Sequence, residues 1–153
     1  MPQGWKVTPP KSDSEYLERM SKAIFSAGLN WTMIENKWPN FRSAFARFSP
    51  DIVSKMSASE VGKLMGNPDI VRNEKKIRST VHNAKVILAI QKEHGSFKKY
   101  LGSFGKDEEE LQKDLQERFQ HLGPSSSRMF LWSVGYPLTP NKEEKAWMDR
   151  EGA

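Results

Sequence analysis

The sequence predicts an all-α protein, and three observations carry that expectation. Apolar residues recur at three- and four-residue steps through most of the chain, no segment alternates with period two, and the breaks fall at glycine, proline and helix-capping residues. There is also no repeat of fixed period.

Each element has its own signal. Residues Met1 to Pro10 hold three prolines and a glycine and read as an extended lead-in. From about Asp13, with Ser12 or Asp13 as cap, Tyr16, Leu17, Met20, Ala23, Ile24 and Ala27 mark a helix that Gly28 ends. Asn30 caps a second helix carrying Trp31, Ile34, Trp38, Phe41 and Phe45 on one face, which Pro39 is expected to kink or split. Ser49-Pro50-Asp51 starts a short helix through Met56, and the capping box Ser57-Ala58-Ser59-Glu60 starts another that runs to Met65. After Gly66-Asn67-Pro68 comes the longest helix, about Asn73 to Glu93, with Ile77, Val81, Ala84, Leu88 and Gln91 as its stripe and Gly95 as its stop. Ser96 to Leu101 adds a turn or two before the loop Gly102 to Gly105. Asp107 to Gln120 is amphipathic on Leu111, Leu115 and Phe119, with acids at the N-terminal end where the helix dipole favours them. The turn His121 to Pro124 leads into a last helix, Ser125 to Ser133, and the remainder reads as a tail. The division is a lead-in over 1–12, a helical domain over 13–138 and a C-terminal tail over 139–153.

At 153 residues the chain forms one domain with a real core. It has no cysteine, which excludes disulfides and thiolate metal sites. No stretch is apolar enough to span a bilayer and Met1 to Thr8 lacks the pattern of a secretion signal, so a cytoplasmic monomer is expected, without a membrane partner. Twenty-four Lys and Arg against nineteen Asp and Glu give a charge of +5, which permits a polyanionic partner. The basic residues gather between Arg72 and Lys85, beside Asn73 and Asn83, whose amides suit sugar or phosphate oxygens.

Three places carry candidate chemistry. Gly28-Leu29-Asn30-Trp31 sets an aromatic ring at a helix corner, where it either floors a pocket for a flat ligand or packs the two helices together. Glu35, four residues on, shares the Trp31 face and is the candidate carboxylate. The turn Leu122-Gly123-Pro124-Ser125-Ser126 points first-turn N–H groups outward, as contact with a phosphate backbone requires, and His121 lies beside it. His82, His94 and His121 lack metal-ligand spacing, and no cofactor or metal is expected. No nucleophile elbow, phosphate-cradling loop with its lysine or zinc helix is present.

Five stretches together resemble the bacterial 3-methyladenine DNA glycosylases of type I, within the helix-hairpin-helix group. They are Ala27 to Trp31; Lys37 to Phe48 around Phe41-Arg42-x-x-Phe45; Asp69 to Asn73 with Lys76-Ile77 and Asn83-Ala84; Gly95 through Phe104; and Leu122 to Ser126. The resemblance spans about Asp13 to Gly135. It implies a helical glycosylase-like domain that grips double-stranded DNA with the hairpin, extrudes a damaged purine and cleaves its glycosidic bond in base excision repair. It further implies Trp31, with Phe25 and Trp38, as the base pocket and Gly28 and Leu29 as the wedge entering the duplex. Leu122, Gly123, Pro124, Ser125, Ser126, Arg72, Asn73 and Lys76 become the backbone contacts. The family's two zinc-binding cysteines and two histidines have no counterparts, nor does its N-terminal pocket tyrosine, and its pocket glutamate aligns with Ala23. The alternative is a non-catalytic helix-hairpin-helix DNA-binding module, and a further one is a helical protein-interaction scaffold.

Overall fold

The computed structural model describes residues 7–150. Among them the elements are α1 (Asp13–Ser26), α2 (Trp31–Ala44), a 3-10 turn (Ala46–Phe48), α3 (Pro50–Val53), α4 (Ala58–Met65), α5 (Glu74–His94), α6 (Phe97–Gly102), α7 (Glu108–Arg118), α8 (Pro124–Ser133) and α9 (Lys142–Arg150), with no strand.

Helix α1 is the axis of the fold, because both its flanks are apolar and it packs against α2, α3, α5, α6 and α8. Leu17, Met20, Ala23 and Phe25 have no exposed surface. Ser12 is its cap, accepting from the Glu15 N–H at 3.3 Å. Asp13 works at longer range instead, accepting from Gln91 Nε2 at 2.7 Å and from the Phe97 N–H at 3.2 Å, which ties α1 to the α5–α6 corner.

Pro39 does not split α2, which runs unbroken from Trp31 to Ala44. Its effect is local: it has no N–H to give the Glu35 carbonyl one turn back. Beyond α2, Ala46, Arg47 and Phe48 all adopt left-handed backbone, with φ of 51°, 55° and 59°. That conformation costs roughly 1–2 kcal/mol per residue, and no glycine or asparagine relieves it. Its compensation is the burial of Phe48, whose ring stacks on Trp38 at 5.4 Å and on Phe45 at 5.4 Å. Phe25 and Phe41 complete the aromatic column, their centroids 4.8 Å apart.

The buried stripe of α5 continues through Ile87 and Ile90 rather than the expected Leu88 and Gln91. Three-residue steps from Ala84 keep those isoleucines fully buried, while Leu88 is half-buried. The expected tail contains α9, which buries no residue yet is held by a fork: Arg128 donates to Glu144 from Nε at 2.9 Å and from Nη2 at 2.5 Å. Burial pushes the Glu144 carboxyl up, but Arg128 and the Asn141 N–H outweigh it and hold the group below its ordinary value. At the other end, the Thr8 N–H donates to the Ser133 carbonyl at 3.3 Å, and Arg19 donates to the Thr8 and Ser133 carbonyls.

Candidate functional site

The α1–α2 crossing opens a cavity of about 320 Å³, lined by Glu15, Glu18, Arg19, Lys22, Glu35, Trp38, Pro39 and Arg42 of the two helices and by Ser133 at the end of α8. The lining residues come from one face of each helix. Glu15, Arg19 and Lys22 step along α1, and Glu35, Trp38 and Arg42 step along α2. Their charges are matched inside the cleft. Glu18 accepts from Trp38 Nε1 at 2.9 Å and pairs with Arg42 at 3.3 Å. Lys22 pairs with Glu35, and its Nζ lies 4.9 Å from the Trp31 ring centroid and 5.5 Å from that of Trp38. One ammonium thus links both indoles and the candidate carboxylate.

Of the predicted pocket residues, Trp38 lines the cleft, and half-buried Trp31 meets it through Lys22. Phe25 has no exposed surface and lies in the aromatic column that supports Trp38 through Phe41. The predicted wedge is the corner between the helices. Gly28 has a φ of 75°, which side chains disfavour, and Leu29 is 39% exposed, one of only three large apolar residues so exposed among those described. Lys76, from α5, donates to the Ala27 carbonyl at 3.2 Å and so braces this corner; burial pulls its amine below the ordinary lysine range. Asn73 caps α5, accepting from the Lys76 N–H at 3.1 Å, and Arg72 is exposed beside it.

The second predicted feature, the hairpin between α7 and α8, is held from behind by α5. Asn83, 1% exposed, accepts from the Gln120 N–H at 2.8 Å and donates to the Gln120 carbonyl at 3.2 Å. It therefore does not face a phosphate, as its position in the basic cluster had suggested. Ser79 meets His121 Nδ1 at 3.2 Å, at a residue whose φ is 60°. Leu122 is buried, Ser126 Oγ accepts from the Gly123 N–H at 2.9 Å, and Pro124 and Ser125 are exposed. The first turn of α8 thus turns its outward N–H groups to solvent on a braced backbone.

This arrangement has relatives. The family model for methyladenine glycosylase matches residues 3–131. The chain belongs to the methyladenine glycosylase family. It is 33% identical over 96 residues to the DNA-3-methyladenine glycosylase of Haemophilus influenzae, an alignment covering 62% of this chain and 52% of that protein. To DNA-3-methyladenine glycosylase 1 of Escherichia coli it is 31% identical over 101 residues, covering 65% and 53%. The chain therefore spans about half the length of these curated relatives. A structure of 3-methyladenine DNA glycosylase I from Staphylococcus aureus superposes with a TM-score of 0.77 at 28% identity, covering 87% of this chain and 81% of that one. A structure of a 3-methyladenine DNA glycosylase I in complex with 3-methyladenine gives 0.77 at 27%, covering 92% and 88%. Helical architecture and family membership, both expected from the sequence, are thereby borne out.

Of the lining residues only Glu35 and Trp38 were site candidates from the sequence, and the two on α1 that meet them, Glu18 and Lys22, were not. Their signal was their four-residue spacing on α1, the same spacing that relates Trp31 to Glu35 on α2.

Proposed function

We propose that this glycosylase-family protein binds duplex DNA, turns a damaged purine of the 3-methyladenine type into the α1–α2 cleft, and hydrolyses its N-glycosidic bond. The observation that carries the reading is the cleft of about 320 Å³ between α1 and α2, lined by the Trp38 indole and the Glu35 carboxylate, on the two helices whose joining corner leaves Leu29 exposed. Extrusion leaves a gap in the duplex, and an apolar side chain can fill it while phosphates lie on the first turn of α8. Lesions lower the work of extrusion, which is a few kcal/mol and least for a damaged base.

An alkylated adenine is cationic and leaves as a neutral base, so bond cleavage needs little acid assistance. In this reading the carboxylate of Glu35 stabilises positive charge developing on the sugar or orients water towards C1′, and its position in the cleft lining supports that role. The second reading, a DNA-binding module without catalysis, is favoured by Ala23, which is fully buried and offers no functional group where the family's pocket glutamate aligns.

The deciding measurement is base release from alkylated duplex DNA, with binding to the same DNA followed across a salt series. Release of a methylated purine supports the enzyme; salt-dependent binding without release supports the module; absence of binding sinks both. Two variants test the parts. Gly123 has an ordinary φ, and a Cβ there would meet nothing within 4 Å, so Gly123→Leu is expected to fold normally yet weaken duplex binding. Unchanged affinity would remove the hairpin from the interface. Trp31→Ala is expected to lower affinity for lesion or abasic DNA by about 1–3 kcal/mol while affecting plain duplex less. Equal losses on both DNAs would reduce Trp31 to a packing role.

A further inference from the structure

The corner Ala27-Gly28-Leu29-Asn30 is exposed along its whole length, so little packing holds it in one conformation, and Gly28 at its centre has the widest choice of backbone angles. A wedge that enters a duplex must present Leu29 in a fixed direction, because every rotation left free is an entropy cost of binding. The fixing comes from α5. The Ala27 carbonyl closes the C-terminal end of α1, where carbonyls lack helical partners and the helix dipole favours a cation, yet the last turn of α1 carries no basic residue of its own. Half-buried Lys76 supplies the cation, its Nζ donating to that carbonyl at 3.2 Å. The lysine's own footing is tied to α2, the other arm of the corner. Asn73 fixes the first turn of α5 by accepting from the Lys76 N–H, and α2 holds the segment that leads into it: Asn40 Nδ2 donates to the Asp69 carbonyl at 3.2 Å and Lys37 Nζ to the Pro68 carbonyl at 3.4 Å.

We propose that Lys76 is a positioning residue for the wedge rather than a phosphate contact: it locks the Gly28-Leu29 corner in the direction in which Leu29 fills the gap left by an extruded nucleotide. The proposal rests on the reading above in one respect, that Leu29 enters the duplex. The two roles differ in what they do to binding. A phosphate contact adds to affinity for any duplex and releases a counterion, so its removal lowers the slope of log affinity against log salt by about 1. A positioning residue acts where there is a gap to fill, and its removal leaves that slope alone.

Two duplexes are compared, one plain and one carrying a stable abasic-site analogue with 2-aminopurine as the neighbouring base, whose fluorescence reports its stacking. Lys76→Met keeps the apolar stem and removes the ammonium. It is expected to lower affinity for the abasic duplex about tenfold, the scale of one charge-assisted hydrogen bond. Plain-duplex affinity is expected to change less, its salt slope to stay as in the wild type, and the fluorescence change that the wild type gives at saturating protein to be lost. Because the chain has no cysteine, Lys76→Cys introduces a single thiol, and alkylation with 2-bromoethylamine rebuilds a side chain of lysine's length ending in an ammonium. That treatment is expected to restore the fluorescence change, with thermal midpoints reporting that each variant folds. The proposal is overturned if Lys76→Met lowers both affinities alike with a reduced salt slope, if it keeps the fluorescence change, or if alkylation restores nothing. Leu29→Ala separates the lysine from the wedge. Loss of the fluorescence change in Leu29→Ala but not in Lys76→Met would sink the role of Lys76 alone; its persistence in Leu29→Ala would remove Leu29 from the duplex, and this proposal with it.

Discussion

Trp38→Ala is expected to destabilise the protein by about 3–5 kcal/mol, the range for removing a large aromatic from a core. The indole is 6% exposed and lies against Phe41 at 4.9 Å and Phe48 at 5.4 Å, nearly parallel to both rings. Its removal opens a cavity in the aromatic column and withdraws the main compensation for the left-handed turn at Ala46–Phe48. The measurement is urea unfolding with the slope held under scrutiny: a lower midpoint at constant slope reports lost stability rather than a changed unfolded state. Trp38→Phe separates packing from polarity. It preserves much of the stack but removes the N–H that Glu18 accepts at 2.9 Å, while Arg42 remains as the partner of that carboxylate. Its expected cost is about 1 kcal/mol, typical of one hydrogen bond. If Trp38→Ala lost less than that, the column would not be the support of the cleft, and the cleft's shape would have to come from α1 alone.

Helix ends were legible in the sequence because capping is local. Ser12, Asn30 and Ser57 each place a side-chain oxygen on an N–H three residues ahead, as residue type and spacing indicated, and Asn73, read from the sequence as the start of the helix and a backbone contact, caps α5 in the same way. The left-handed turn was not, since Ala46, Arg47 and Phe48 have no intrinsic preference for that conformation and adopt it for a contact made by Phe48 with Trp38, ten residues earlier. Nor was Asn83, whose partner Gln120 is thirty-seven residues away. Its amide looked like a surface group among lysines, because α5 turns basic and buried residues towards opposite sides within a single turn. The cleft lay between these cases. Trp31 and Glu35 stood out by type and spacing on one helix, but nothing local marked Glu18 and Lys22, and Arg42 stood out only as part of the Phe41-Arg42-x-x-Phe45 stretch. Only the crossing of α1 over α2 brings the two sets face to face.

That dependence on distant contacts makes Asn83 the sharpest probe of the hairpin. Asn83→Ala is expected to cost about 1–3 kcal/mol, because it removes both hydrogen bonds to the Gln120 backbone, each worth about 0.5–1.5 kcal/mol net. His121, next in the chain and already at a φ of 60°, then depends on Ser79 alone among the side chains of α5 for its restraint. The hairpin is expected to loosen before the rest of the domain, so amide exchange at Gln120 to Ser126 should rise more than exchange in α1. Duplex affinity, measured where the variant remains folded, is expected to fall with it, since first-turn N–H groups hold a phosphate only when their directions are fixed. Gly123→Leu blocks the same surface without loosening it, so the two variants attack one interaction by different physics. A loss of affinity in both would tie DNA binding to the geometry of the hairpin. Loss in Gly123→Leu alone would mean that access, rather than the rigidity supplied by Asn83, limits the contact; affinity unchanged in both would move the duplex away from α8 altogether.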